Sequence, residues 1–220
     1  MYTNISSSNL STLPPIKELK RICQSIAVLD CILEPDYEFR YYSYNSKWDN
    51  NEELASMRDG SGDSCFILFT MSGAIIKGFV HESLFGNYAI SKGEPWPNIY
   101  NSIPDEFKEF ISEPAFSINN VSFCIWQRHT DTDWNIGDIQ FPSKPDPDGS
   151  EEILSIYDGN PETYKKWAES YYEAELDLHV IGKIYEHLPL SSEVVKTLNS
   201  ERSLNDILDD IEEIGYPLLS

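Results

Sequence analysis

CFILFTMSGAIIKGFV, residues 65–80, is the stretch that decides the fold. Two apolar runs flank the short turn Met71-Ser72-Gly73. Cys65 to Thr70 and Ala74 to Val80 are too short for globular helices and are rich in β-branched and aromatic residues. They read as an antiparallel hairpin. Outward from it, residues 37–44 (YEFRYYSY) alternate, with Tyr37, Phe39 and Tyr41 on one face and Glu38, Arg40, Tyr42 and Tyr44 on the other, which predicts a strand. The segment between that strand and Cys65 reads as a loop. Val121 to Trp126 predicts a further strand, residues 134–141 another, and Glu152 to Tyr157 a last one, ended by Asp158-Gly159. Residues 82–102, with Gly86, Gly93, Pro95 and Pro97, read as irregular.

Helical spacing appears at both ends. Ile16, Leu19, Cys23, Ile26, Ala27 and Cys31 predict an amphipathic helix over about 15–32, opened by Pro14-Pro15 and stopped by Pro35. Lys17, Lys20 and Arg21 are its exposed basic face. Pro104 with Asp105 and Glu106 starts a short helix to residue 112, acids in the first turn as the helix dipole prefers. After Asn160-Pro161 the pattern turns helical: Tyr164, Trp167, Ala168, Tyr171 and Tyr172 form an aromatic stripe that runs on, with a break, to His187. Ser192 is expected to cap a short helix to Leu198. Ser203 with Asp206 predicts a capping box for a last helix to Ile214, closed by Gly215 and Pro217. Strands over 37–157 and helices over 160–214 predict an α+β fold: an antiparallel sheet of five to six strands, with an N-terminal helix and a C-terminal group of helices packed on one face. Residues 1–12, polar and serine-rich, read as a flexible lead-in. Residues 13–220 read as one domain, with 160–220 as a candidate helical subdomain.

Charge is distributed unevenly. The net charge is −21; residues 131–220 hold 21 acids and 6 bases, a net −15. Such a chain repels nucleic acid and anionic membrane and attracts basic partners. No apolar run is long enough to span a membrane, and the N-terminus has no secretory pattern. Cys23, Cys31, Cys65 and Cys124 sit in apolar contexts with no Cys-x-x-Cys pair, which predicts buried reduced thiols and a cytoplasmic protein.

No motif fixes a reaction. The Gly-rich loop from Arg58 to Asp63 precedes a strand rather than a helix, so it is no phosphate cradle. His129 with Asp131 and Asp133 resembles a metal or acid/base cluster, but one histidine with two carboxylates in a polar loop is a common accident. His179 and His187, eight apart, lack the one-turn spacing of a zinc pair, and no metal or cofactor is expected. Carboxylates mixed with aromatic anchors suit a steered interface, and they can occupy the phosphate positions of a blocked cationic site. The expected function is therefore that of an acidic, non-catalytic protein-binding protein, an immunity protein against a basic toxin being the specific form. Its expected docking residues are Asp131, Asp133, Trp134, Glu169, Tyr172 and Glu173. One alternative is a small enzyme with a site at the strand ends around His81, Glu82, Arg58 and Asp59. The other is a housekeeping interaction protein.

Two resemblances stand beside this reading. Tyr41 to Trp48, Ala55 to Asp63, Gly78 to Ser83, Phe123 to Trp126, Asp158-Gly159 before Tyr164, and the tail from Leu204 to Pro217 together resemble a bacterial family of about this length that implies no function and carries over no site residue. Ile103-Pro104-Asp105-Glu106-Phe107-Lys108-Glu109-Phe110 resembles the short helix of SUKH-type immunity proteins, although the Asn-Gly-Gly segment that follows it in that family is absent here.

Overall fold

The computed structural model describes residues 5–116 and 118–219. In chain order the elements are α1 (Ile16–Leu33), β1 (Tyr42–Asp49), β2 (Glu52–Arg58), β3 (Ser64–Phe69), β4 (Gly73–Phe79), α2 (Leu84–Lys92), α3 (Lys108–Ser112), β5 (Phe123–Arg128), β6 (Asn135–Ile136), α4 (Ser150–Leu154), α5 (Pro161–Tyr171), α6 (Leu178–Tyr185), α7 (Ser192–Leu198) and α8 (Leu208–Ile214). The six strands form one antiparallel sheet in sequential order. The fold is α+β, with the N-terminal helix and the C-terminal helices as expected.

The 65–80 hairpin forms β3 and β4, with Cys65 opposite Gly78 and Ile67 opposite Ile76. Both of its faces are buried. Cys65, Ile67, Phe69, Ala74 and Ile76 join Met57, Phe123 and Ile125 under α1 and the C-terminal helices. Phe66, Leu68 and Ile75 join Leu54, Cys124 and Trp126 under a second layer, built by Ile99, Ile103, Phe107, Phe110, Phe116 and Val121. Helices were expected on one face only; the excursion between β4 and β5 covers the other. Burial on both sides is why this hairpin reads as continuous apolar runs instead of an alternation. It also buries Lys77, which faces the second layer and donates from Nζ to the Phe116 carbonyl at 2.7 Å. Burial pulls that amine down to about 8.

Several local expectations are corrected. Residues 37–39 form a 3-10 turn with Tyr37 and Phe39 exposed, so the 37–44 strand starts only at Tyr42. The Asp30 carboxylate accepts the Tyr42 amide there, at 2.9 Å. The segment read as a loop contains β2, whose partners on both sides outweigh its weak strand propensity; Asn51, at φ 60°, makes the turn from β1. Residues 82–102 contain α2. Ser83 caps it by accepting the Gly86 amide at 2.9 Å, and Gly93 ends it at φ 69°. Gly86 is there because a Cβ would stand 1.9 Å from the Val80 carbonyl oxygen, not because the helix breaks. The strand expected over 134–141 is reduced to β6.

The strand expected over 152–157 is α4 followed by a 3-10 turn over Ser155–Tyr157. Ile153, Leu154, Ile156 and Tyr157 bury one side of it, a spacing that fits a helix, and the Asp146 carboxylate accepts the amides of Glu151 and Glu152 at its start. So short an apolar run cannot be assigned by periodicity. The expected lead-in is pinned from Ile5 onward, while its first four residues lie outside the described ones. Ile5 is buried, the Ser7 amide donates to Ser150 Oγ at 2.9 Å, and the Ser7 hydroxyl donates to the buried Asp148 carboxylate. At the C-terminal end the stripe breaks between α5 and α6, and Ser191 rather than Ser192 caps α7. The Ser203–Asp206 capping box forms, and Gly215 ends α8 at φ 72°. All four cysteines are free and buried.

Gly78 illustrates how tightly the first layer is filled. A Cβ there would stand 2.0 Å from the ring of Phe123 on β5. Gly78→Ala is expected to lose about 1–3 kcal/mol of unfolding free energy by forcing that ring aside, measured as a lower urea midpoint with an unchanged slope.

Candidate functional site

The turn between β2 and β3 is wound around Asp59. Its carboxylate accepts the amides of Ser61, Gly62 and Asp63 at 2.9–3.0 Å and the Ser61 hydroxyl. Partial burial pushes its pKa up, but these donors outweigh burial and hold it below the ordinary aspartate value. The turn delivers Asp63 to the end of β4, where Asp63 Oδ1 accepts both the His81 amide (2.8 Å) and His81 Nδ1 (2.6 Å). That places the ring proton on Nδ1. The Asp63 hydrogen bond, opposed by desolvation, raises the His81 pKa above the ordinary value. Glu82 stands off at 3.9 Å from Nε2.

Arg58 does not join this group. Met57 points into the first layer, so Arg58 points to the second, where its guanidinium lies 5.2 Å from the centre of the Phe66 ring. Among the described residues no hydroxyl or thiol bonds to His81. The four residues expected to form an enzyme site are thus divided. A His–Asp pair faces solvent, Asp59 is locked into its own turn, and Arg58 lies across the sheet. Beside the pair, a cavity of about 240 Å³ opens between Tyr41, Tyr42, Met57, Asp59, Asp63, Glu152 and Trp167.

The six expected docking residues are also divided. Asp131 is clamped by Arg128, whose amide and guanidinium donate to it at 3.0–3.3 Å; that pairing holds its pKa low. Trp134 is buried, its indole N–H donating to the Pro14 carbonyl at 3.0 Å. Glu169 accepts the Leu176 amide at 2.9 Å and pairs with Lys165, fastening the loop after α5; the amide bond and then the lysine lower its pKa. Tyr172 is half-buried in an aromatic group around Trp167. Asp133 and Glu173 are exposed. Arg128 pairs with Gly73 and Tyr42 with Met57, so the Asp131 loop and the end of α5 sit at opposite ends and opposite edges of the sheet. The six make no common face.

A denser acidic and aromatic arrangement lies in the less acidic half of the chain. At the far end of β1, a cleft of about 180 Å³ is lined by Trp48, Asp49, Glu52, Leu68, Glu106, Glu109, Phe110, Glu113 and Phe116. Trp48 is 43% exposed and lies 5.9 Å from the Phe116 ring, which stacks on Phe66 at 4.4 Å. The acids come from two sources. The β1–β2 turn supplies Asp49 and Glu52. Glu106, Glu109 and Glu113 follow i, i+3, i+7 through α3 and its 3-10 lead-in, while Phe107 and Phe110 bury the opposite side. Partial burial, then the charges of Asp49 and Glu109, push the Glu52 pKa up. Among the described residues no lysine or arginine pairs with Glu52, Glu106 or Glu109. The cleft is an apolar floor with a rim of carboxylates that repel one another. The i, i+3, i+7 spacing of Glu106, Glu109 and Glu113 is legible in the sequence, whereas their place beside an exposed Trp48, from a distant segment, comes only with the fold.

Comparison with protein-family models, curated proteins and solved structures finds no match.

The His81–Asp63 geometry has a direct check. In Asp63→Asn the charge holding the imidazolium is gone, so the His81 titration midpoint is expected to fall, read from its ring proton shifts by NMR. An unchanged midpoint would contradict the hydrogen bond as its cause.

Proposed function

We propose that this protein is a non-catalytic acceptor for a basic protein partner, in its specific form a cytoplasmic bacterial immunity protein that masks a cationic toxin. The observation that carries this reading is the Trp48 cleft: an exposed indole above Phe110, Phe116 and Leu68, with Glu52, Glu106 and Glu109 on its rim in no ion pair among the described residues. An arginine or lysine of the partner would lay its charge over the indole and its terminal nitrogens against Glu52 and Glu109. That would relieve the repulsion that raises the Glu52 pKa. An aromatic anchor that docking would bury, ringed by pairable charge, has the composition of an interface hot spot. The −21 net charge would steer a cationic protein toward it.

A second reading draws support from the His81–Asp63 pair, which has the orientation of a general base and its positioning carboxylate. Arg58, on the opposite face, counts against the fuller site expected from the sequence.

The test is a pull-down from the source cells at low and high salt, with wild type, Trp48→Ala and Glu52→Gln/Glu109→Gln. A basic protein held by wild type at low salt, released at high salt, and bound roughly thirtyfold more weakly by Trp48→Ala (about 2 kcal/mol) is the expected result. Binding that ignores both salt and the loss of Trp48 would overturn the proposal. A gene neighbouring its own that encodes a toxin with a basic domain would decide for the immunity form.

A further inference from the structure

Asp30 is a carboxyl of the first layer that enters no ion pair among the described residues. It is fully buried near the end of α1. Its Oδ2 accepts the Tyr42 amide at 2.9 Å and its Oδ1 accepts the Tyr164 hydroxyl at 2.6 Å. Neutral donors alone are thin compensation for a buried carboxylate. The titratable groups facing it are Cys31 of its own helix, Tyr42 of β1, Tyr164, Tyr171 and Tyr172 of α5, and Tyr185 of α6. All are neutral near pH 7. The cation nearest its field, Arg40, is committed to a two-pronged pair with Asp210 at 2.7 and 3.1 Å. Arg202 donates to the Cys31 carbonyl instead. The Tyr172 hydroxyl is buried near Asp30 without a regular hydrogen bond.

α5 is what covers Asp30 from this side. It is seated by side chains: Tyr164 on the carboxylate, and Trp167 with Tyr171 against Tyr41 and Tyr42 at centroid distances of 4.5–5.1 Å. Left-handed residues stand just beyond both ends, Gly159 at φ 75° and Glu173 at φ 51°, where the chain changes direction. The cavity of about 240 Å³ adjoins it, lined from α5 by Thr163 and Trp167, so this flank is not packed solid.

We infer that Asp30 is a proton-operated latch for α5: protonated, it leaves the helix seated, and ionised, it favours a form in which α5 lifts and water reaches the carboxylate. Burial, partly offset by the Tyr164 and Tyr42 bonds, raises its pKa from 3.8 to about 7. A carboxyl whose pKa is raised in the closed form holds its proton more tightly there than in the open form. Closure is therefore unaffected below pH 4, weakens as pH rises toward 7, and levels off above it. This device is independent of the partner-binding reading.

The test is native-state hydrogen exchange of the whole protein, expressed as protection factors for residues 161–177 between pH 4.5 and 8.5. In wild type these are expected to fall by about tenfold or more between pH 5 and 7 and then level off. In Asp30→Asn they should stay flat. Tyr164→Phe, which removes a donor to the charged form, should move the levelling to higher pH. The same variant keeps the test decisive if Asp30→Asn does not fold, and the carbon-13 carboxyl shift of Asp30 reports the midpoint directly. Flat protection in wild type, or an equal fall in Asp30→Asn, overturns the latch. So does a fall shared by β3 and β4, because the whole molecule and not α5 would then be opening.

Discussion

A hairpin apolar on both faces sets the terms for everything else in this molecule. β3 and β4 cannot stand at a solvent boundary, so the chain must supply a layer on each side. One layer is helical and comes from the two ends of the sequence. The other comes from the excursion between β4 and β5, which covers its share with α3, 3-10 turns and the rings of Phe107, Phe110 and Phe116. Such a layer is thin, and its edge leaves Trp48 partly uncovered. The candidate docking cleft is the margin of that layer, and its acids are the solvent side of the helix that supplies its aromatic floor.

Lys77 ties the second layer to the sheet. It stands in the middle of β4, where an aliphatic residue would fill the same space, and reaches the Phe116 carbonyl beneath Trp48. Fixing that carbonyl fixes the Phe116 ring, and with it the surface on which the tryptophan rests. The floor of the cleft is thereby held to the centre of the sheet and not only to its own loop.

Much of the fold was legible because local and tertiary demands agreed. α1 carries unbroken helical spacing, the Ser203–Asp206 box closes on itself, and Gly215 takes the left-handed angle a helix end needs. The misreadings fall where tertiary contact overrules local pattern. β2 has few strand-forming residues but lies between two partners. Gly86 looks like a breaker but answers to a neighbouring carbonyl, and Ile153 to Tyr157 is apolar enough for either structure. The site was less legible than the fold. Trp134 and Tyr172 are aromatic residues amid acids, as docking anchors are, yet one is spent on the Pro14 carbonyl and the other on the Trp167 group. Charge sums along a chain carry no information about distance, and the pairs Arg128–Asp131 and Lys165–Glu169 cancel acids that such a sum counts in full.

The position of α1 bears on how the chain is made. Its inner side is closed partly by β1, which follows it directly, and partly by segments far along the chain: Gln24 donates to the Ile214 carbonyl, Ser25 to that of Ile184, and α6, α7 and α8 pack against it. The sheet can pair strand by strand as it emerges, since its order follows the sequence. The side of α1 that α6, α7 and α8 cover has no such early neighbour, and it stays bare until those helices are made. Until α6 to α8 are in place this chain therefore carries an exposed hydrophobic segment, and that interval of synthesis is when it is vulnerable to aggregation.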